Sequence, residues 1–406
     1  MAQFAGAVTA AQGFQAAGVY VGVKSSNQEK KDVALIYSEK PCNMAAMFTT
    51  NVVKAAPVQY DMKILAKGVA QAIFVNSGNA NACTGQQGLD DVATIVKKVG
   101  QRLGIASDMV LMSSTGVIGQ NLPMERLLAG VDLVSEQLDA EGGHSAAEAI
   151  LTTDLHTKEM ALTIDLDGIN VTLGGIAKGS GMICPHMATM LSFITTDAVI
   201  SQKTLQQALD EAVAGSFNQI SVDGDMSTND TVIMLANGLA GNAEIMPNSK
   251  NYALFVSALS RIAVYLAKKI ARDGEGATHL LEARVEGAKT LADARKMAKS
   301  VVSSNLVKAA IFGKDANWGR IICAAGYSGV DFDATKVNIT LESYSGKLLV
   351  AENGGGLRFD ENYAAKILQE EEVAVVITLQ EGNATAQAWG CDLSYDYVKI
   401  NADYRT

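Results

Sequence analysis

Chemistry-bearing residues crowd into one stretch near the middle of the chain, Gly174 to Leu191. It holds Lys178 and three side chains able to act as nucleophiles, Ser180, Cys184 and Thr189, with Pro185 and His186 between the last two. Cys184 beside His186 has the makings of a thiolate pair; a small buried thiol in an apolar run accounts for it equally simply and is the reading favoured here. Thr189 inside a chain is a poor nucleophile with no obvious base beside it. At a chain terminus it would be a good one, because a free α-amine with a pKa of roughly 7.7–8.0 can take the hydroxyl proton. From composition alone a buried strand threonine is the better reading of Thr189.

Two phosphate motifs fail in this stretch. Gly174 and Gly179 have the spacing of a P-loop, but Ser180 stands where its lysine is needed. Gly179-Ser180-Gly181 begins a dinucleotide fingerprint that Cys184 does not complete. The four histidines, His144, His156, His186 and His279, have no metal-pair spacing, and no Gly-x-Ser-x-Gly elbow is present.

The surrounding pattern must hold this stretch. Short strands are expected at 19–23, 33–38 and 44–49, as an opening meander, and at 72–75, followed by a polar Gly/Asn loop over 76–85. A helix over 88–103 leads to the strand 109–112, which ends at Ser113-Ser114-Thr115-Gly116-Val117-Ile118-Gly119. A strand ending in such a turn presents backbone donors at a sheet edge, a common place for an active site. Another helix is expected near 123–138. Residues 161–166 and 169–173 alternate around Asp167-Gly168, a hairpin that feeds the central stretch. Beyond it come a strand from Met190, a helix capped by Ser201, and the polar loop 221–230 before the strand 231–236. Helices follow near 251–272, 290–302 and 361–370, with strands at 278–286 and 306–312, and strands dominating after about 330. Strands and helices mix without a βαβ rhythm, which predicts an α+β fold of mixed sheets and helices.

The 406 residues predict two or three domains. Apolar residues make up 48% and charged residues 19%, a composition suited to a packed globular protein. The net charge of −10 disfavours nucleic acid and anionic membrane surfaces and points to small-molecule partners. Five scattered cysteines, with no basic and apolar leader pattern at the N-terminus, predict a cytoplasmic protein without disulfides or a structural zinc site.

Lys178-Gly179-Ser180-Gly181-Met182-Ile183 with Met187-Ala188-Thr189-Met190-Leu191 resembles the self-cleavage motif of the ornithine acetyltransferase family of arginine biosynthesis. The likeness extends in order over the whole length, through Ser113–Gly119, Thr152-Thr153-Asp154, Asp223–Asp230, Arg272–Thr278, Gly313–Arg320 and Asn401–Thr406. The resemblance implies a precursor cut between Ala188 and Thr189. It would leave an α chain, 1–188, and a β chain, 189–406, that stay associated, usually as α2β2. Thr189 would carry acetyl from N-acetylornithine to glutamate, with Thr115 and Gly116 as the oxyanion hole. Thr152, Lys178, Glu275, Asn401 and Thr406 would contact substrate. No metal or other cofactor is implied. Some members also take acetyl from acetyl-CoA, for which the chain shows no separate motif. The family more often carries Asn at the position of His186, and His or Ala at that of Cys184. Competing readings are an N-terminal-nucleophile amidohydrolase or aminopeptidase, and a non-catalytic amino-acid-binding relative.

Overall fold

The computed structural model describes residues 2–4, 7–23, 30–184 and 190–403. Two mixed sheets layered with helices give an α+β architecture, as the irregular alternation of patterns predicts.

The first sheet has nine strands among the described residues. At its centre Leu191–Thr196 runs parallel to Thr231–Ala236 and antiparallel to Ile169–Lys178. The expected hairpin is present: Ile169–Lys178 pairs with Lys158–Leu166 around Asp167 and Gly168, both of which take positive φ. On its other side Thr231–Ala236 pairs with Val33–Phe48, then Val69–Asn79, then the parallel strand Val110–Val117.

The central strands are apolar on both faces because both faces are covered. Ile194 and Met234 face a core that includes Phe255, Ile262 and Leu266 of the helix Lys250–Arg272. Phe193, Ile233 and Leu235 belong to the core on the other side, with Ala146, Ala147 and Ile150. Nearer the edge, Phe74, Val110 and Met112 pack with Val92, Ile95 and Val99 of Gly85–Leu103 and with Val131 and Val134 of Met124–Glu136. A strand buried on both sides reads as a continuous apolar run rather than an alternation.

The second sheet runs, in spatial order, from Gly355–Gly356 through Gly346–Glu352, Asn338–Ser343, Glu372–Thr378, Leu280–Ala288 and Ala384–Cys391 to Ile220–Ser221. Leu281, Ala283 and Val285 pack on Ala294, Met297, Ala298 and Val301 of the helix Leu291–Ser303. The strand-rich segment after residue 330 therefore shares one sheet with strands from earlier in the chain.

The structure corrects three local expectations. Residues 306–312 form a helix, Asn305–Phe312, not a strand. Ser304 caps it, accepting from the Val307 amide, and Val307, Ala310 and Ile311 turn inward at helical spacing. The opening meander is instead one strand, Phe14–Val19, beside a single long one, Val33–Phe48, whose pairing shifts between Tyr37 and Cys42. Pro41 falls inside that shift and has no N–H to donate, which suits a bulge. The third concerns the polar loop after Val75, which begins later than expected: Val69–Asn79 stays in the sheet, with Asn76, Ser77 and Asn79 buried.

All five cysteines are free thiols. No helix among the described residues is long and apolar enough to cross a membrane.

Candidate active site

The strand Val110–Val117 continues past the expected stop, and its parallel partner brings Gly78 opposite Gly116. Gly116 has φ +132°, and a Cβ there would lie 2.3 Å from the Gly78 carbonyl carbon and 2.5 Å from the Asn79 nitrogen. Only glycine fits this crossing. Two residues earlier, Asn229 Nδ2 donates to the Ser114 carbonyl at 2.8 Å, and it also donates to the Ala80 carbonyl at 2.7 Å. The Ser114 carbonyl belongs to the same peptide as the Thr115 N–H, so this clamp fixes the direction of that donor.

Lys178 closes the strand Ile169–Lys178 and is 4% exposed. Its ammonium donates to Thr152 Oγ1 at 2.8 Å and Thr115 Oγ1 at 3.3 Å, and stands 3.9 Å from Asp154 Oδ2. Because Thr115 Oγ1 accepts from Lys178, its own proton is left to donate elsewhere. Burial pulls the Lys178 pKa down, with Lys158 acting in the same direction, while Asp154, Glu275 and Asp230 oppose; the net direction is downward. Glu275 Oε2 accepts from Asn401 Nδ2 at 2.9 Å, and its backbone N–H donates to the Ser180 carbonyl at 3.0 Å. A Cβ on Gly181 would sit 2.5 Å from the Glu275 carboxylate, so glycine there lets the acid approach the backbone.

Thr115, Gly116, Thr152, Lys178, Glu275 and Asn401 line one cavity of about 130 Å³. They come from five separated segments and from both sheets or their connections. Ala188, Thr189 and Thr406 lie outside the described residues. Described residues on either side of Ala188 and Thr189 are held from one loop, 221–230. Asp223 accepts from the amides of Met182 and Ile183, at 2.5 and 2.8 Å, and Asp230 Oδ1 accepts from the Met190 amide at 2.8 Å. Burial pushes the Asp223 carboxyl up, against those amides that hold it down. Met182 itself takes φ +57°, an uncommon conformation for a side chain of its size. Met190, just after position 189, and Met182 and Ile183 before it are thus anchored by carboxylates 40 or 41 positions further on.

Sequence reasoning marked the 221–230 loop, Thr152-Thr153-Asp154 and Arg272–Thr278 as motifs but assigned no role to Asn229, Asp230, Asp154 or Asp273. Lys158 carried no signal, since a lysine opening an alternating strand reads as a solvated charge. A larger groove of about 590 Å³ lies elsewhere, along the second sheet. Its central Arg284 is engaged by Glu282 at 3.1 Å and Glu342 at 3.4 Å, and it contains none of the residues above.

The arrangement is that of a small, partly buried site for a charged ligand: an ammonium and a carboxylate face one cavity beside a strand end with fixed donors. Comparison with known proteins makes it specific. The ArgJ family model matches residues 15–406, and the chain belongs to that family. It is 53% identical over 406 residues, the whole of both chains, to the arginine biosynthesis bifunctional protein ArgJ of Symbiobacterium thermophilum. It is 53% identical over 401 residues, 99% of each chain, to the protein of the same name from Caldanaerobacter subterraneus subsp. tengcongensis. The crystal structure of the arginine biosynthesis bifunctional protein from Bacillus halodurans is 47% identical, with a TM-score of 0.51. All of that solved chain is matched, by 53% of this one.

Proposed function

We propose that this protein is a self-processed glutamate N-acetyltransferase of arginine biosynthesis, moving acetyl from N-acetylornithine to glutamate through Thr189. One observation carries the reading: all six of the described residues assigned to oxyanion hole and substrate, far apart in sequence, line a single cavity.

Maturation begins with attack of the Thr189 hydroxyl on the Ala188 carbonyl carbon. The Ala188–Thr189 amide bond breaks as an ester to the threonine oxygen forms. Water hydrolyses that ester, leaving residues 1–188 with a new carboxylate and Thr189 with a free α-amine. In turnover the amine takes the hydroxyl proton as the oxygen attacks the acetyl carbon of N-acetylornithine. The oxyanion is met by the Thr115 and Gly116 donors at the strand end. The amide nitrogen leaves as the ornithine amine, taking the proton, and the acetyl group stays on Thr189. The glutamate amine then attacks the ester and departs as N-acetylglutamate. Lys178 suits the substrate carboxylate and Glu275 the side-chain ammonium of ornithine, with Thr152, Asn401 and Thr406 orienting the ligand.

Support for the cut comes from length as well: the Bacillus halodurans chain corresponds to a little over half of this one, as residues 189–406 would. The word bifunctional in the relatives' names supports acetyl-CoA as a second acetyl donor to glutamate, with no other cofactor. The two chains stay together and pair as α2β2 in the cytoplasm. Mass spectrometry of the purified protein tests maturation, with masses for residues 1–188 and 189–406 expected. Turnover is tested by incubation with N-acetylornithine and glutamate. Release of free acetate in place of N-acetylglutamate would favour an amidohydrolase, and an intact, inert chain would favour a binding protein.

A further inference from the structure

Beneath the cavity lies a charged cluster that the reaction above does not use. Lys158, 1% exposed, donates to Asp154 Oδ1 at 2.8 Å, to Asp273 Oδ2 at 2.6 Å and to the His156 carbonyl at 3.1 Å. Asp154 also accepts from the Gly179 amide at 2.6 Å and the Thr152 amide at 3.1 Å. Asp273 accepts from the amides of Leu155 and His156, at 3.1 and 3.3 Å, and its carbonyl receives the Ser180 hydroxyl at 2.7 Å. Three chain segments meet here, and each supplies a cavity residue no more than two positions away: Thr152, Lys178 and Glu275. Buried ion clusters of this kind add little to stability over an apolar core of equal volume, so stability alone is a weak reason for one to be present.

We propose that Asp154 is a positioning residue: through the Thr152 and Gly179 amides it fixes Lys178 at the cavity wall, and its carboxylate keeps the ammonium charged for the substrate carboxylate. This rests on the reading of Lys178 as that carboxylate's contact. The charges facing Lys178 are Asp154, Lys158, Glu275 and Asp230. Burial pushes the Asp154 carboxyl up, but Lys178, Lys158 and the Gly179 amide outweigh it and hold it below the usual carboxylate range. Lys158 acts on Lys178 in the opposite sense to Asp154, as a like charge across the shared carboxylate.

The test is the pH profile of kcat/KM for N-acetylornithine in the mature enzyme, its Asp154→Asn variant and its Lys158→Met variant, each checked for folding by thermal unfolding. Asparagine keeps an acceptor for Gly179 but removes the charge. Its alkaline limb is expected to fall by about one to three pH units, with KM rising more than kcat falls. In Lys158→Met the limb is expected to move the other way, because the opposing charge is gone. The substrate's own ammonium titrates identically in all three enzymes, so a difference between them belongs to the protein. A folded Asp154→Asn enzyme of reduced rate whose limb stays in place overturns the positioning role. Where that variant does not fold, the direction of the Lys158→Met shift decides alone, and an unmoved or lowered limb overturns it. A wild-type enzyme that transfers no acetyl would instead overturn the function itself.

Discussion

Asn229 donates to the Ser114 carbonyl at 2.8 Å and so aims the peptide that carries the Thr115 N–H. Its second bond, to the Ala80 carbonyl, ties the same side chain to the neighbouring strand's exit. Both acceptors are buried beside the candidate oxyanion hole. Asn229→Ala is expected to lower kcat roughly ten- to a hundredfold, with a smaller change in KM, because a misdirected donor is felt mainly in the transition state. Asn229→Asp should be worse, since a carboxylate would face two carbonyls. Steady-state kinetics on both variants check this; unchanged kcat in Asn229→Ala refutes the aiming role.

Thr189→Ala removes the proposed nucleophile of both maturation and transfer. Purified variant should show a single mass for the full chain, stable on long incubation, and no acetyl transfer. Appearance of the two fragments in this variant would show that another group makes the cut.

Asp230→Ala releases the Met190 amide, the first anchored group after the cut. A time course on denaturing gels should show slower conversion of precursor to the two chains. Conversion at the wild-type rate would mean that the anchor does not set the scissile geometry.

Gly116→Ala forces a side chain onto a backbone at φ +132° and against the Gly78 carbonyl carbon. The strain alone is worth about 1–3 kcal/mol. Relief requires the two strands to part, moving the donors. Activity should fall by about a hundredfold or more, together with a lowered Tm. Full activity would exclude Gly116 from the oxyanion hole.

Asp61 offers a test by pH. It is buried in the helix Ala56–Leu65, accepts from the Met112 amide at 3.0 Å, and its Oδ2 has no hydrogen-bond partner among the described residues. Burial pushes its carboxyl well above the ordinary value, against the Met112 bond that lowers it. A carboxyl with a raised folded pKa binds its proton more tightly when folded. Its contribution is therefore fully present below the unfolded pKa and is lost as pH rises through the folded one. Asp61→Asn should raise the Tm relative to wild type at pH 7–8. That advantage should shrink towards pH 4. A variant no more stable than wild type at pH 8 would refute the buried-acid account.

The parts of the molecule legible in the sequence were those whose signal is local. Asp167-Gly168 between alternating strands reads as a hairpin because both residues tolerate positive φ. Ser201 reads as a helix start because its hydroxyl caps the Thr204 amide. Residues 306–312 read as a strand because Val307, Ile311 and Phe312 favour strands locally, and only the Ser304 cap and tertiary burial make the segment helical. At the site, glycine- and threonine-rich motifs stood out, while their supports did not. Nothing in the sequence couples Lys158 to Asp273, 115 positions apart, or Asn229 to Ser114. Such pairs exist only once the sheets have brought their segments together.

Lys178 and Leu191 are partners in the adjacent antiparallel strands Ile169–Lys178 and Leu191–Thr196, so the proposed cut falls in the sequence that joins two paired strands. A chain cut there keeps every rung of that ladder, and neither half owns the sheet. In the proposed maturation these rungs, with the Asp223 and Asp230 anchors, set the scissile geometry. The proposed self-cleavage would then be open only to molecules that have finished folding, a quality check on the precursor.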